Sequence, residues 1–242
     1  MTDDQALAGR IASVRARVAD AARRAGRDPG DVEVLPVSKT RPAESVSRVS
    51  RIGGFTSFAE NRPQELAAKA EALPGFRWVL IGPLQSNKVS LAARWAASFQ
   101  ALESLSVAEA LDRRLQALGR GIDVMIEVNT SGEASKHGVA PDEVVPLARG
   151  LAPYASLRPV GLMTVAVNSP DEAAVRGCFR ALRQLRGRLR DDGIASAAWD
   201  ELSMGMSADF EWAIEEGATV VRIGTQIFGP RPPVSDRPAV PK

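Results

Sequence analysis

The sequence has little of what binds a metal or forms a disulfide. Among its 242 residues there is one cysteine, Cys178, and one histidine, His137. A single cysteine excludes an internal disulfide and suits a reducing compartment, so we expect a cytoplasmic protein. One histidine and one cysteine also make a His/Cys metal site unfavourable, and no metal is expected.

The sequence also lacks a long apolar run and an excess of charge of one sign. No segment approaches the ~20 apolar residues that span a bilayer. The N-terminal stretch is charged throughout, which is typical of an amphipathic helix and not of a signal peptide. The 31 Lys and Arg residues nearly balance the 29 Asp and Glu residues, and no dense basic block is present. We therefore expect neither a membrane nor a nucleic acid as partner.

Short apolar runs alternate with helical patterns after this first helix. The runs predict strands over 32–38, 55–60, 77–82, 98–103, 122–129, 157–163, 199–203 and 220–224. The patterns between them predict helices near 42–51, 61–72, 86–96, 106–118, 141–151, 170–190 and 207–216.

Strands that alternate with helices favour a parallel sheet covered on both faces. Eight of them in a chain of this length predict a single (β/α)8 TIM barrel with an extra N-terminal helix, over residues 1–230. An open doubly wound sheet is the alternative, although no GxGxxG follows the first strand. The tail 231–242 has four prolines in twelve residues and is expected to be disordered.

The clearest helix is the one near 170–190, where Ser169 and Pro170 mark the start. Its apolar residues recur at helical spacing and predict one buried stripe: Val175, Cys178, Phe179, Leu182, Leu185 and Leu189. Cys178 is therefore expected to pack in the core and not to act as a redox thiol.

A lysine ends the first predicted strand, in "VEVLPVSKTRP" at 32–42. Lysine is almost never fully buried unless it is paired or used. In a closed barrel the first strand pairs with the last, so Lys39 should lie beside "RIGT" at 222–225. Active sites of such barrels lie at the carboxyl ends of the strands, often with a phosphate bound after strands seven and eight.

The loop after the seventh strand offers such a phosphate site. Ser207 is expected at the N-cap of the next helix, with a hydroxyl and unpaired N–H groups. Gly224 lets the backbone approach a ligand closely. Near a phosphate-bearing ligand, Lys39 could serve as a point charge or form a Schiff base with an aldehyde, as in an aldolase. It could also be an ordinary strand-end lysine that reaches solvent.

Six stretches together resemble the pyridoxal 5′-phosphate homeostasis protein family (YggS/PROSC type). They are "PVSKTRP", "FAENRPQEL", "WVLIGPLQSNKV", "IEVNTSGEASKHGV", "GLMTV" and "LSMGMSADFEWAIEEGATVVRIGTQIFG", which span 32–229 in order. This resemblance implies the alanine racemase N-terminal barrel fold, binding of pyridoxal 5′-phosphate (PLP) and a role in vitamin B6 balance. Partners would then be PLP and PLP-dependent apo-enzymes.

Site residues also follow from the resemblance. Lys39 would form the Schiff base with PLP, and Asn61 would lie at the ring. Arg222 would face the pyridine nitrogen. The phosphate would be held by a group of four residues: Met206, Ser207, Gly224 and Thr225. The chain departs from the family pattern at Arg62 and Pro63, where Tyr-Val is common, and at Val79, where His is common.

The residue type at position 222 indicates whether such a site would catalyse a PLP-dependent reaction or only bind PLP. PLP is an electron sink when its ring nitrogen is protonated, and a guanidinium disfavours that proton. A racemase also needs a second acid/base group, and the only tyrosine, Tyr154, precedes the sixth strand, away from the carboxyl ends. We therefore expect a PLP carrier or buffer with no catalytic residues, the alternative being a PLP-dependent amino-acid racemase.

Four further polar residues fall near the predicted mouth. His137 could be a general base, Lys136 and Lys88 could guide an anionic ligand or accept PLP in passing, and Glu60 could be an acid beside Asn61. His137, Lys136 and Lys88 could instead be ordinary rim or loop residues, and Glu60 could serve only to orient Lys39 or Lys88. With no second domain to complete a shared site, we expect a monomer.

Overall fold

Eight parallel strands form the centre of the computed structural model, which describes residues 2–194 and 199–230. The strands are β1 (Glu33–Pro36), β2 (Ser57–Glu60), β3 (Arg77–Leu80), β4 (Ser98–Leu102), β5 (Ile122–Glu127), β6 (Leu157–Met163), β7 (Glu201–Ser203) and β8 (Val220–Ile223). From β2 to β8 the strands lie side by side in chain order, and β8 pairs in parallel with β1. A parallel bridge between Val37 and Ala59 joins β1 to β2. The barrel is therefore closed, and the open doubly wound alternative is wrong.

The helices of the described ranges surround this barrel. They are α1 (Asp3–Arg24), α2 (Ala43–Gly53), α3 (Pro63–Ala72), α4 (Val89–Trp95), α5 (Leu105–Ala117), α6 (Val144–Gly150), α7 (Glu172–Asp191), α8 (Phe210–Glu215) and α9 (Thr225–Phe228). The short α9 was not predicted, because four residues are too few to show a helical period. Within these ranges no helix is long and apolar enough to cross a bilayer. The tail 231–242 lies outside the described residues.

Alternation along the strands divides the buried side chains into two layers. Leu35, Val37, Ala59, Val79 and Val220 form a small cluster on the inner side of β1, β2, β3 and β8. Their chain neighbours point outward and join the larger cluster beneath the helices. Because successive side chains of a strand point to opposite faces, the residue two positions after Val37 returns to the inner face. That residue is Lys39.

The N-terminal helix α1 completes the outer ring of helices. It begins with a capping box, in which Thr2 and Gln5 exchange side-chain and backbone hydrogen bonds. Its buried residues recur at intervals of three and four and make one apolar stripe: Leu7, Ile11, Val14, Val18, Ala21 and Ala22. The helix packs against α2, α8 and α9. It thereby covers the barrel between β8 and β1, where no long helix follows β8 in the described residues.

The stripe predicted near 170–190 is confirmed in α7, where all six residues, Cys178 included, are buried. The start of the helix differs from the prediction by two residues. Asp171, not Ser169, is the N-cap, and its carboxylate accepts the Ala173 N–H at 2.9 Å. The Ser169 hydroxyl instead accepts the Asp171 N–H, which places it in the turn before the cap.

If α1 is part of the barrel's core, truncating its buried stripe must destabilise the whole domain. Leu7 is 3% exposed, so Leu7→Ala should lower the free energy of unfolding by about 2–5 kcal/mol. The matched change Leu118→Ala, at a residue 49% exposed, should cost about 0.5 kcal/mol or less. Urea unfolding followed by circular dichroism measures both. Equal costs would mean that α1 does not share the barrel's core.

Candidate functional site

A cavity of about 480 Å³ opens at the carboxyl ends of the strands, a size common for ligand sites. All seven predicted site residues line it: Lys39, Asn61, Met206, Ser207, Arg222, Gly224 and Thr225. His137 lines it too, whereas Lys88 and Lys136 are not among its described lining residues. Lys136 instead contacts the Ala166 carbonyl and Glu133. Residues from 37 to 228, far apart in sequence, thus meet at one mouth.

Lys39 is half-buried, and a strained turn follows it directly. Thr40 has φ 65°, in the left-handed region that a β-branched residue rarely adopts. The turn is stabilised by the Arg41 N–H, which donates to the Ser38 carbonyl at 3.0 Å. The Thr40 N–H donates to Glu65 Oε1 at 2.6 Å. These contacts fix the backbone on the carboxyl side of Lys39.

A buried network lies behind this turn, between β1, β2 and α3. Lys69 Nζ lies 2.5 Å from Glu60 Oε1 and 2.9 Å from Glu65 Oε1, and it donates to the Ser38 carbonyl at 2.8 Å. The Ser38 hydroxyl donates to Glu60 Oε1 at 2.6 Å. Glu60 is therefore on the outer side of the barrel wall. It supports the Lys39 segment and does not line the cavity.

The network contains two carboxyl groups, of Glu60 and Glu65, but only one ammonium, of Lys69. The Glu60 side chain is fully buried, and its Oε2 has no hydrogen-bond partner in the described part of the chain. Burial raises the pKa of Glu60 to about 7, an effect that the Lys69 ammonium opposes and the Glu65 carboxylate adds to. Around neutral pH this carboxyl group therefore exchanges a proton.

Arg222, on β8, is a buried cation that lines the cavity. Its guanidinium donates to the Ser203 hydroxyl and to the Thr164 carbonyl, both at 2.8 Å. The Ser203 hydroxyl in turn donates to Gln100 Oε1 at 2.7 Å. Burial lowers the pKa of Arg222 to about 10, against the attraction of Glu127 and Asp209. The side chain thus stays cationic and rigidly oriented at neutral pH.

Ser207 lies in a turn, and the prediction that it caps the following helix is wrong. Asp209 is the N-cap of α8, and its carboxylate accepts the Met206 N–H at 2.6 Å. That contact closes a turn over 207–209 and delays the helix to Phe210. The Ser207 carbonyl accepts from the Gln226 side chain at 2.6 Å. The loops after β7 and β8 are therefore joined at the cavity.

The N-terminal helix supports these two loops from outside. Arg17, on α1, donates to Gln226 Oε1 at 2.9 Å and to Glu211 Oε1 at 3.0 Å. Arg10 donates to the Ile227 carbonyl at 3.0 Å. Neither arginine nor Gln226 was recognised from the sequence, since contacts across about 200 residues leave no local signal.

Two glycines allow close backbone approach around the cavity. A Cβ at Gly82 would lie 2.2 Å from the Asn61 carbonyl oxygen, so only glycine lets the end of β3 pass Asn61. A Cβ at Gly224 would lie 3.3 Å from the Val37 carbonyl oxygen. Its φ of −105° is ordinary, so space, and not a left-handed backbone, is what glycine supplies there.

Glu127, at the end of β5, was not recognised from the sequence as a site residue. It lines the cavity although it is only 6% exposed. Burial raises its pKa to about 7, which the Arg222 charge opposes and the Glu103 charge reinforces. The sequence did contain a signal: Glu127 ends the mostly apolar strand "IDVMIE", and an acidic residue is seldom buried in such a strand.

The departures from the family pattern lie outside the cavity. Arg62 is the exposed N-cap of α3, Pro63 is its first residue, and Val79 belongs to the inner cluster of the barrel. None of them is among the described lining residues. His137 is 59% exposed in its side chain and lies 3.8 Å from Glu103.

Fold and site together define a barrel of the alanine racemase N-terminal domain class, whose family model matches residues 10–232. Curated relatives are more specific. The chain is 41% identical to the pyridoxal phosphate homeostasis protein of Pseudomonas aeruginosa over 93% of this chain and 96% of the relative. It is 38% identical to that of Aquifex aeolicus over 92% and 97%. The chain belongs to the pyridoxal phosphate homeostasis protein family.

Solved structures agree with this assignment. PipY of Synechococcus elongatus, solved with PLP bound, is 32% identical with a TM-score of 0.80 and covers 92% of this chain and 100% of its own. The form without PLP has a TM-score of 0.82. Alanine racemase of Clostridium difficile, 15% identical with a TM-score of 0.72, covers 93% of this chain and 58% of its own. That last likeness shows the fold alone.

Glu60 makes the stability of the protein depend on pH. Its pKa in the folded state, about 7, is above the ordinary value, so the folded protein binds the proton more tightly. This contribution to stability is complete below about pH 4.5 and is lost as the pH rises through 7. Wild type should therefore lose stability relative to Glu60→Gln between pH 5 and 8, by up to about 1.4 kcal/mol per pH unit.

Urea unfolding at several pH values measures this difference. Glu71, an exposed residue of the same helix as Lys69, provides the control: Glu71→Gln should leave the pH dependence of wild type unchanged. Parallel profiles for wild type and Glu60→Gln would show that Glu60 does not titrate in this range.

Proposed function

We propose that this protein binds PLP covalently through Lys39 and holds and releases it as part of cellular PLP homeostasis, without robust catalytic turnover. The observation that carries this proposal is the placement of Lys39 on the inner barrel face, in one cavity with Arg222 and the loops after β7 and β8. The names of the relatives and the PLP found in PipY support it.

The residues present fit the cofactor. PLP offers an aldehyde to a primary amine, a phosphate and a ring nitrogen that can accept a hydrogen bond. Lys39 supplies the amine. Ser207, Thr225 and the space left by Gly224 suit a phosphate, and Gln226 fixes the distance between the two loops that provide them. Arg222 would donate to the ring nitrogen, and Asn61 would contact the ring.

Arg222 favours holding the cofactor over reacting with it. A guanidinium cannot take up the proton that would make the ring an electron sink, and its positive charge disfavours that proton nearby. Its two hydrogen bonds, to Ser203 and Thr164, prevent it from turning away. The only tyrosine, Tyr154, precedes β6 at the opposite end of the barrel. The racemase alternative therefore has no tyrosine at the mouth that could deliver the second proton.

Release to PLP-dependent apo-enzymes is part of the proposal. The cavity is open at the carboxyl ends of the strands, and the side chain of Met206 at its rim is 39% exposed. A partner could therefore approach the cofactor without unfolding the barrel. We expect the carrier to act as a monomer, since residues of one chain complete the cavity lining.

Lys39→Ala should abolish covalent binding of PLP and leave the fold intact, because a half-buried lysine at the mouth contributes little packing. Wild type mixed with PLP should show a visible absorption band. Borohydride should remove the band and leave a pyridoxyl group on the peptide that contains Lys39, as detected by mass spectrometry.

Lys136→Ala and Lys88→Ala are the matched controls and should keep the band. A pyridoxyl group on another lysine, or none, would contradict the proposed attachment. If the wild type exchanged the α-proton of alanine for deuterium at an enzymatic rate, the protein would be a PLP enzyme and the carrier role would be wrong.

A further inference from the structure

Half of the cavity has no role in the proposed binding of PLP. The residues assigned to the cofactor come from the ends of β1, β2, β7 and β8. The opposite wall comes from β3, β5 and β6, and it is mainly apolar, with Ile81, Met163 and Val165. Glu127 is the only carboxylate among the described lining residues.

Glu127 is 6% exposed, its carboxylate faces the cavity, and the side-chain hydrogen bonds among the described residues include none to that carboxylate. A buried carboxylate without a partner is costly. Other acidic groups of the site have donors in the protein: Asp209 accepts the Met206 N–H, and Glu103 accepts the Gly138 N–H. The Glu127 carboxylate is therefore available to accept a hydrogen bond from a ligand in the cavity.

The charges around Glu127 keep it able to exchange a proton. Arg222, from β8, favours the carboxylate form, and Glu103, which follows β4, disfavours it. Lys39 and Arg41 from the loop after β1, and His137 from the loop after β5, line the same cavity. Burial, reinforced by the Glu103 charge and opposed by the Arg222 charge, raises the pKa of Glu127 to about 7. Near neutral pH a large share of the molecules therefore carries a base that can accept a proton.

We propose that Glu127 and the apolar wall beside it form a second subsite, which binds a primary alkylammonium group and removes its proton so that this amine displaces Lys39 from PLP. An alkylammonium has the two parts that the subsite complements: a cation for the carboxylate and a short hydrocarbon chain for Ile81, Met163 and Val165. A lysine side chain has this chemistry. The inference rests on the proposed function, because it concerns how the cofactor leaves.

The exchange balances without a further reactant. The incoming nitrogen loses a proton to Glu127 and forms a bond to the carbon that Lys39 Nζ holds. A second proton passes from the incoming nitrogen to Lys39 Nζ, and the bond from that carbon to Lys39 Nζ then breaks. The proton taken by Glu127 returns to the lysine nitrogen, and neither water nor an oxidant is consumed. Glu127 is therefore a catalytic residue of release.

Two amines separate this role from a structural one. Butylamine is protonated at pH 7, like a lysine side chain, and must lose a proton before it attacks. Methoxyamine is neutral at that pH and needs no base. PLP-loaded protein is mixed with increasing concentrations of each amine, and the rate at which the visible band is lost is followed by stopped flow. The slope of rate against amine concentration is the quantity compared.

Glu127→Gln should lower the butylamine slope by about tenfold or more, within the range for loss of a general base, and leave the methoxyamine slope unchanged. Glu127→Asp keeps the carboxylate and should recover part of the butylamine slope. The matched control is Glu201→Gln, a half-buried glutamate whose pKa burial also raises, on β7 and away from the cavity. It should behave as wild type with both amines.

The two failures can be told apart. Slopes that fall together for both amines, or do not fall, in a protein that binds PLP normally would overturn the subsite alone. A wild type that takes up no PLP would overturn both this inference and the proposed function. If Glu127→Gln does not fold, the Glu127→Asp variant decides, since withdrawing the carboxylate must slow butylamine selectively. A parallel arm with N-α-acetyl-lysine amide shows whether a lysine in a polypeptide also enters.

Discussion

The parallel pairing of β1 with β8 is the contact on which the site depends. It closes the barrel and sets Leu35 opposite Arg222 and Pro36 opposite Ile223. Side-chain alternation then places Lys39 on the inner face, at the mouth where Gly224 begins the last turn. Had the sheet stayed open, the first and last strands would lie at opposite edges, and the lysine would be far from the loops that suit a phosphate.

Three of the buried ionisable groups near that lysine, Arg222, Glu60 and Glu127, have different tasks. Arg222 donates to two neutral acceptors and stays cationic. Glu60 supports the Lys39 turn from behind the barrel wall, where it shares one ammonium with Glu65. Glu127 faces the cavity without a partner among the described residues. Burial lowers the pKa of the arginine and raises those of both acids, so the site titrates near neutrality through its carboxyl groups.

The sequence predicted the fold and the gathering of the seven site residues, because strand count and alternation are local signals that barrel geometry extends. It failed where contacts between distant segments decide. Ser207 is not the N-cap of α8, because the Asp209 carboxylate accepts the Met206 N–H and holds residues 207–209 in a turn before the helix begins. The roles of Arg17 and Gln226 depend on α1 packing beside α9, and no spacing rule relates residues 209 positions apart. The suggestion that Glu60 is an acid in the mouth is wrong, because side chains alternate along β2: Ala59 faces the inside of the barrel and Glu60 the outside.

In the proposed complex PLP bridges β1 and β8, attached to Lys39 and anchored by the loops after β7 and β8. A crystal structure of the protein grown with PLP tests this most directly. We predict continuous electron density from Lys39 Nζ to the cofactor, with the phosphate against Ser207 and Thr225 and the ring nitrogen beside Arg222. Cofactor density at another lysine, or a phosphate bound on the β3–β6 side of the cavity, would contradict this placement of PLP.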